Sequence, residues 1–467
     1  MTFLYQSTRG QAPELDFRGV TMTGLATDGG LYVPKAWPQF STADIVAMQG
    51  LSYIEIAVRV MLPFVTPSLD EATLRSLLTK SYTGFADPAI TPLRQMDEDH
   101  WLLELFHGPT LAFKDVALQF LGNLFEHFLA QNSQKMTVLG ATSGDTGSAA
   151  IAATANRKNI ETIILYPHGR PSDIQRQQMT CVDAANIHTI AIKGSFDDCQ
   201  AIVKALFNDG AFRQHANLAA VNSINWARIL AQMVYYFVAG VRLGAPQKPV
   251  TFVVPTGNFG NVYAAYAAMK CGLPISKLAV ASNRNDILTR FFTSGKMEAN
   301  EVATTLSPSM DIQISSNFER LLFDLCGGDA AALTRKMDEL KSAGRFAVSP
   351  LQLATARQVF TAAMLDDAAT MEVIHSTYAK NDVLLDPHTA VGVGAAKLLQ
   401  KELPGPIVML GCAHPAKFPE TIQKATGASS SVPEALAMLL KKPERTTILD
   451  NEIQAVKDFI SSKIGTK

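Results

Sequence analysis

"VTFVVPTGNFGNVYAAYAAM", residues 250–269, decides how this chain folds. The run from Val250 to Pro255 is apolar almost throughout, as a strand buried on both faces must be. Gly257 and Gly260 interrupt it, and apolar residues at three- and four-residue spacing then open a helix over 260–271. A strand feeding a helix through a glycine turn is the repeating unit of a parallel sheet covered by helices. The same turn brings backbone N–H groups to a helix N-terminus, where the dipole favours an anion, so it is also a phosphate-site candidate.

Further units lie on both sides of it. Strands are expected at 136–141, 161–167, 187–192, 218–222, 277–282 and 406–411, and helices at 115–130, 146–157, 198–208, 225–242 and 389–401. The chain therefore reads as α/β. Residues 1–95 differ: "GLATDGGLYVP" (24–34) is turn-rich and "PSLDEATLRSLLTKSY" (67–82) is a separate amphipathic helix, which predicts a small leading subdomain. Residues 96–420 form the expected catalytic region, with a helical insertion at about 290–350, and 421–467 the expected C-terminal helical tail.

Composition limits the function. An apolar fraction of 47% over 467 residues supports a large core, and 41 basic against 42 acidic side chains give a formal charge of −1. That balance offers no electrostatic case for nucleic acid or a membrane surface, so a small-molecule ligand is expected. Cys181, Cys199, Cys271, Cys326 and Cys412 are odd in number, scattered and never CxxC, which predicts neither disulfide framework nor zinc site and suits a reducing cytoplasm. The opening "MTFLYQSTRGQAPELDF" has no basic segment followed by an apolar core. The most lipid-like run, "ILAQMVYYFVAGVRLGA" (229–245), is broken by Arg242 before it could span a bilayer.

Two further motifs carry chemistry. "GATSGDTGSAAIAAT" (140–154) repeats the strand–loop–helix layout, with Thr142, Ser143, Asp145 and Thr146 around a helix start. One such residue suffices for a cap; four suit a carboxylate or a polar ring substituent. "HGPTLAFKD" (107–115) places Lys114 at a helix start, where the dipole favours anions rather than cations. A lysine beside two anion-binding loops points to a Schiff base with pyridoxal 5′-phosphate, which offers an aldehyde to the amine and a phosphate to the glycine turn. Neither the dinucleotide fingerprint nor the Walker pattern is matched at 256–261, which argues against NAD and ATP. "GVGAAK" (392–397) lies inside a helical pattern and reads as close helix packing.

"HGPTLAFKD" also resembles the pyridoxal-lysine motif of threonine synthases. The similarity continues through "STRG" (7–10), "GLATDGGLYVP", "GATSGDTGSAA", "NSINWARILAQ" (222–232), "PTGNFGN" (255–261), "DPHTAVG" (386–392) and "AHPAKFPE" (413–420), in family order and over nearly the whole chain. The resemblance implies the tryptophan-synthase-β-like fold of pyridoxal enzymes, fold type II, with two parallel-sheet α/β subdomains and a small N-terminal one. It implies conversion of O-phospho-L-homoserine and water to L-threonine and phosphate, by γ-elimination and β-hydration in a monomer or homodimer. It further implies that Lys114 carries the cofactor and moves protons, and that Thr256, Gly257, Asn258, Phe259, Gly260 and Asn261 hold the cofactor phosphate. Cys412 then stands near the pyridine nitrogen, where threonine or serine is usual. Thr110 and the 142–146 loop face the substrate; Asp145 stands where many relatives of this fold have asparagine. Arg228 is the expected grip on the substrate phosphate, with Ser223, Asn225 and Lys417 as further candidates. Asp115, His388 and Thr389 either line the pocket or serve as caps, and His107 packs beside the lysine. Two other readings stay open: a related phospho-lyase releasing 2-oxobutyrate, phosphate and ammonia, and a binding protein that kept the fold without the activity.

Overall fold

The computed structural model describes residues 2–142, 144–220 and 222–464. Two sheets organise them. The larger has strand order Phe360–Met364, Ile275–Ser282, Val250–Pro255, Ile407–Gly411, His100–Glu104, Leu93–Gln95. All neighbours are parallel except the last pair. The smaller sheet runs Thr447–Asp450, Ile187–Lys193, Ile160–Pro167, Met136–Ala141, Leu218–Ala220 and is parallel throughout. Every residue of Val250–Pro255 is buried, as its unbroken apolar sequence requires.

The chain crosses between the sheets on two long helices. Lys114–Gln131 leads from the larger sheet to the smaller one, and Trp226–Arg242 leads back. The second is buried from Trp226 to Val241, Arg228 and Gln232 included, because its neighbours cover it on every side. It packs against helices Tyr53–Val65, Lys114–Gln131 and Gly260–Lys270 and so joins the leading subdomain to both sheets. Helices Lys114–Gln131 and Asp145–Thr154 approach closely at Gly122, where a Cβ would fall 2.3 Å from the Ala153 carbonyl oxygen. No helix among the described residues is long and apolar enough to cross a membrane.

Several elements differ from the expectation. The tail 421–467 is not helical alone: Thr447–Asp450 becomes the edge strand of the smaller sheet, with Thr447 opposite Ile190. The insertion holds helices Phe318–Leu325 and Ala330–Ala343 and a two-stranded antiparallel pair, Lys296–Glu298 with Arg345–Ala347. Leu93–Gln95, His100–Glu104 and Phe360–Met364 are strands that periodicity did not disclose. Two of these lie at sheet edges, where half the surface is wet and the apolar signal is weak.

Candidate active site

Lys114 is placed by a short antiparallel contact between two loops. Ala112 bridges Ala413, the Phe113 N–H donates to the Cys412 carbonyl at 2.8 Å, and the His414 N–H donates to Leu111 at 3.0 Å. Asp115 tightens the turn by accepting from the Thr110 N–H at 2.8 Å and the Thr110 hydroxyl at 2.7 Å. A Cβ on Gly108 would strike the Asp115 side chain at 2.4 Å, so only glycine fits there. Burial pushes the Asp115 carboxyl up to about 6 against the lowering by those Thr110 bonds.

The Lys114 ammonium is buried, 4.7 Å over the Phe113 ring. Its Nζ lies 3.4 Å from the Ser309 hydroxyl, to which it donates, and 3.6 Å from Asp145 Oδ2. Burial lowers its proton affinity, Asp145 opposes that, and nearby Lys417 and Arg228 lower it further. An amine so placed releases its proton more readily than an exposed lysine.

Asp145 opens helix Asp145–Thr154 and takes Lys417 Nζ at 2.9 Å and Gln175 Nε2 at 3.1 Å on Oδ1. Burial alone would raise its pKa, but Lys417 and Lys114 hold it far below the usual carboxylate range. The loop before it is stapled by the Thr142 hydroxyl, which accepts from Gly144 N–H at 3.0 Å and Gly147 N–H at 2.9 Å. Gly144 has φ 154°, and a Cβ there would overlap the Gln175 amide at 2.6 Å. Thr146 is half-buried, and Ser143 lies outside the described residues.

The loop after Val250–Pro255 is a cradle of backbone donors. Among the described residues, the N–H groups of Gly257, Asn258, Phe259, Gly260 and Asn261 take no protein acceptor, and no side chain caps the helix they open. The loop's carbonyls are tied away: Gly257 accepts from the Ser315 hydroxyl at 2.6 Å and Asn258 from Asn317 Nδ2 at 3.0 Å. Phe259 has φ 62° and buries its ring among Phe292, Phe318 and Phe360, so it can offer a ligand only its backbone. Asn261 Oδ1 accepts from the Tyr235 and Tyr236 hydroxyls, while its buried Nδ2 has no partner. The Thr256 hydroxyl donates to Val254 at 2.6 Å.

Arg228, in the first turn of Trp226–Arg242, is buried with Nε and Nη1 unpartnered. Burial brings it down to about 10. Asn225 caps that helix through Ala227 N–H at 3.0 Å and donates to Thr21 at 2.8 Å, so its side chain is committed to holding Arg228 in place. Ser223 offers its carbonyl to Asn317 at 3.1 Å. Cys412 follows strand Ile407–Gly411; burial pushes its thiol well up, leaving a neutral S–H. Its N–H donates to the Thr389 hydroxyl at 2.8 Å, and that hydroxyl donates to Asp386. Asp386 also receives His388 Nδ1 at 2.9 Å; His388 Nε2 accepts from the Ser309 N–H at 3.2 Å, which assigns the ring proton to Nδ1. His107 pairs with Glu104 at 2.8 Å.

Lys417, expected as a phosphate ligand, instead serves Asp145 and the Thr110 carbonyl, the latter at 2.8 Å. Thr110 is likewise engaged with Asp115 rather than free for a ligand. Ser309, Gln175 and Gln178 are site residues that sequence patterns do not single out. None belongs to a strand–glycine–helix motif, and only the fold brings them to the lysine and its loop. These donors fit pyridoxal 5′-phosphate: five free amides and the Asn261 Nδ2 for a phosphate, and an amine of lowered proton affinity for an aldehyde.

Comparison with known proteins agrees. The profile described as "Pyridoxal-phosphate dependent enzyme" matches residues 88–413, "Threonine synthase N terminus" matches 4–82, and "Threonine synthase, C-terminal" matches 389–460. The chain is 50% identical to threonine synthase of Pseudomonas aeruginosa over 98% of both chains. It superposes on the crystal structure of pyridoxal-phosphate-bound threonine synthase from Brucella melitensis with a TM-score of 0.97 and 46% identity, covering 100% of each chain. For the yeast threonine synthase structure the values are 0.94 and 41%, over 99% of this chain and 98% of that one.

Proposed function

The chain belongs to the threonine synthase family, and we propose that its residues carry out the conversion of O-phospho-L-homoserine and water to L-threonine and inorganic phosphate as follows. When bound, pyridoxal 5′-phosphate supplies an aldehyde that an amine can hold covalently and a ring that draws electrons from the carbons beside that amine. The amides of 257–261 and the Asn261 side chain hold its phosphate, and Lys114 holds its aldehyde. As a free amine, Lys114 Nζ would take the proton from the substrate α-carbon and move protons at the β- and γ-carbons, for which its lowered proton affinity suits it. The neutral Cys412 thiol is the residue that would meet the ring nitrogen, and it would add no charge there. Arg228 grips the substrate's phosphate until it leaves, and the Thr142–Thr146 loop orients the substrate's carboxylate. Thr110, Asn225 and Ser223 position these groups through the bonds already described.

The observation that carries this reading is the presence of two separate sets of unpartnered donors near Lys114, the 257–261 amides and the buried Arg228 guanidinium. A phosphorylated cofactor acting on a phosphorylated substrate needs both. The five cysteines, all free, support a cytoplasmic setting. Incubation with O-phospho-L-homoserine should release phosphate and threonine in equal amounts. Phosphate accompanied by 2-oxobutyrate and ammonia would instead identify the lyase, and no turnover would leave only binding.

A further inference from the structure

Lys417 is a lysine with no exposed surface, at the end of the short turn Pro415–Lys417. It spans three segments of the site. Its Nζ lies 2.9 Å from Asp145 Oδ1 and donates to the Thr110 carbonyl at 2.8 Å, which also accepts from Gln178 Nε2 at 3.1 Å. The other oxygen of the same carboxylate, Oδ2, faces Lys114 Nζ at 3.6 Å, too long for a hydrogen bond. One buried carboxylate is thus shared by two buried ammonium groups, and it sits closer to the one that does no chemistry.

We infer that Lys417 is a positioning residue for Lys114: by holding Asp145 Oδ1 it keeps that carboxylate from closing onto Lys114 as its sole counter-ion. The reason is electrostatic. A carboxylate alone beside an amine stabilises the ammonium, which can neither attack a carbonyl nor accept a proton. A second cation bound to the carboxylate cancels much of that effect while leaving an acceptor in place. The titratable groups around Lys114 are Asp145, Lys417, Arg228 and the neutral Cys412, with the neutral His388 near Asp145. Gln175, the other partner of Asp145 Oδ1, is neutral and cannot substitute for the missing charge. The pairing also accounts for an aspartate at a position where an asparagine would need no counter-ion: Asp145 and Lys417 form one neutral unit.

This inference rests on Lys114 being the cofactor-bearing amine, and the test separates the two. In the holoenzyme, borohydride should fix the cofactor on Lys114 in the wild type and in Lys417→Met alike; failure in the wild type would sink the underlying reading. With that fixation intact, Lys417→Met should raise the pH midpoint of the bound cofactor's absorbance change by about one pH unit. It should lower kcat at least about tenfold while KM stays within about twofold. The double variant Asp145→Asn/Lys417→Met should recover activity and midpoint relative to Lys417→Met, and should outperform Asp145→Asn, which leaves Lys417 buried and unpaired. If Lys417→Met does not fold, the comparison of Asp145→Asn with the double variant decides. An unmoved midpoint in Lys417→Met, or a double variant no better than the poorer single one, would overturn the inference.

Discussion

Asp115, next to the lysine, shows how much a single buried carboxyl can weigh. Its pKa is raised to about 6 by burial, so the native state binds its proton more tightly than the unfolded chain does. Its stabilising contribution is therefore complete below about pH 4 and is lost as pH rises through about 6. Asp115→Asn removes the titration and should gain on the wild type by up to about 3 kcal/mol between pH 4 and pH 6.5, since each pH unit separating the folded and unfolded titrations is worth about 1.4 kcal/mol. Urea denaturation at both pH values measures this; a difference that does not change with pH would contradict it. Lys114 stands out in the sequence because a cation at a helix start is anomalous, and Arg228 because it follows a polar helix start. The Lys417–Asp145 pair was not legible, since 272 positions separate two residues that only the fold unites.

At the scale of elements, the strand–glycine–helix units at 136–154 and 250–270 could be read from their residues because both are buried on nearly every side and leave little ambiguity of period. The edge strand Phe360–Met364 could not, being short and only partly buried. The 256–261 loop depends on the insertion that closes over it: a Cβ on Gly257 would fall 2.9 Å from the Ser309 carbonyl oxygen and 3.2 Å from Met310 Cα. Those are backbone atoms and cannot rotate aside. Gly257→Ala should therefore displace both the phosphate cradle and Ser309, weakening cofactor binding at least about tenfold, equivalent to about 1.4 kcal/mol. Gly84→Ala, with nothing within 4 Å of the added carbon, is the control and should bind as the wild type does. Spectrophotometric titration of the apoprotein distinguishes them; equal affinities would show that the loop tolerates the displacement.

Over the whole molecule, the chain leaves the larger sheet, builds most of the smaller one, returns, and finally sends Thr447–Asp450 back to the smaller sheet's edge. Composition gave no hint of that last crossing, because the strand's exposed alternate residues give it the look of a loop before a helix. Val456 and Ile460 then bury completely against the core of Leu139, Ile163 and Ile190. Removing residues 444–467 should cost about 3–6 kcal/mol from those two side chains alone and uncover the edge of Ile187–Lys193. Urea denaturation and light scattering should record lower stability and self-association; unchanged values would show that the segment is dispensable. The site itself lies where the two sheets' strands end, and it holds two buried lysines around one carboxylate. The most direct measurement is therefore borohydride reduction of the holoenzyme followed by peptide mapping. The reduced cofactor should be found on Lys114 alone; finding it on Lys417, or on neither lysine, would contradict the assignment of roles in this site.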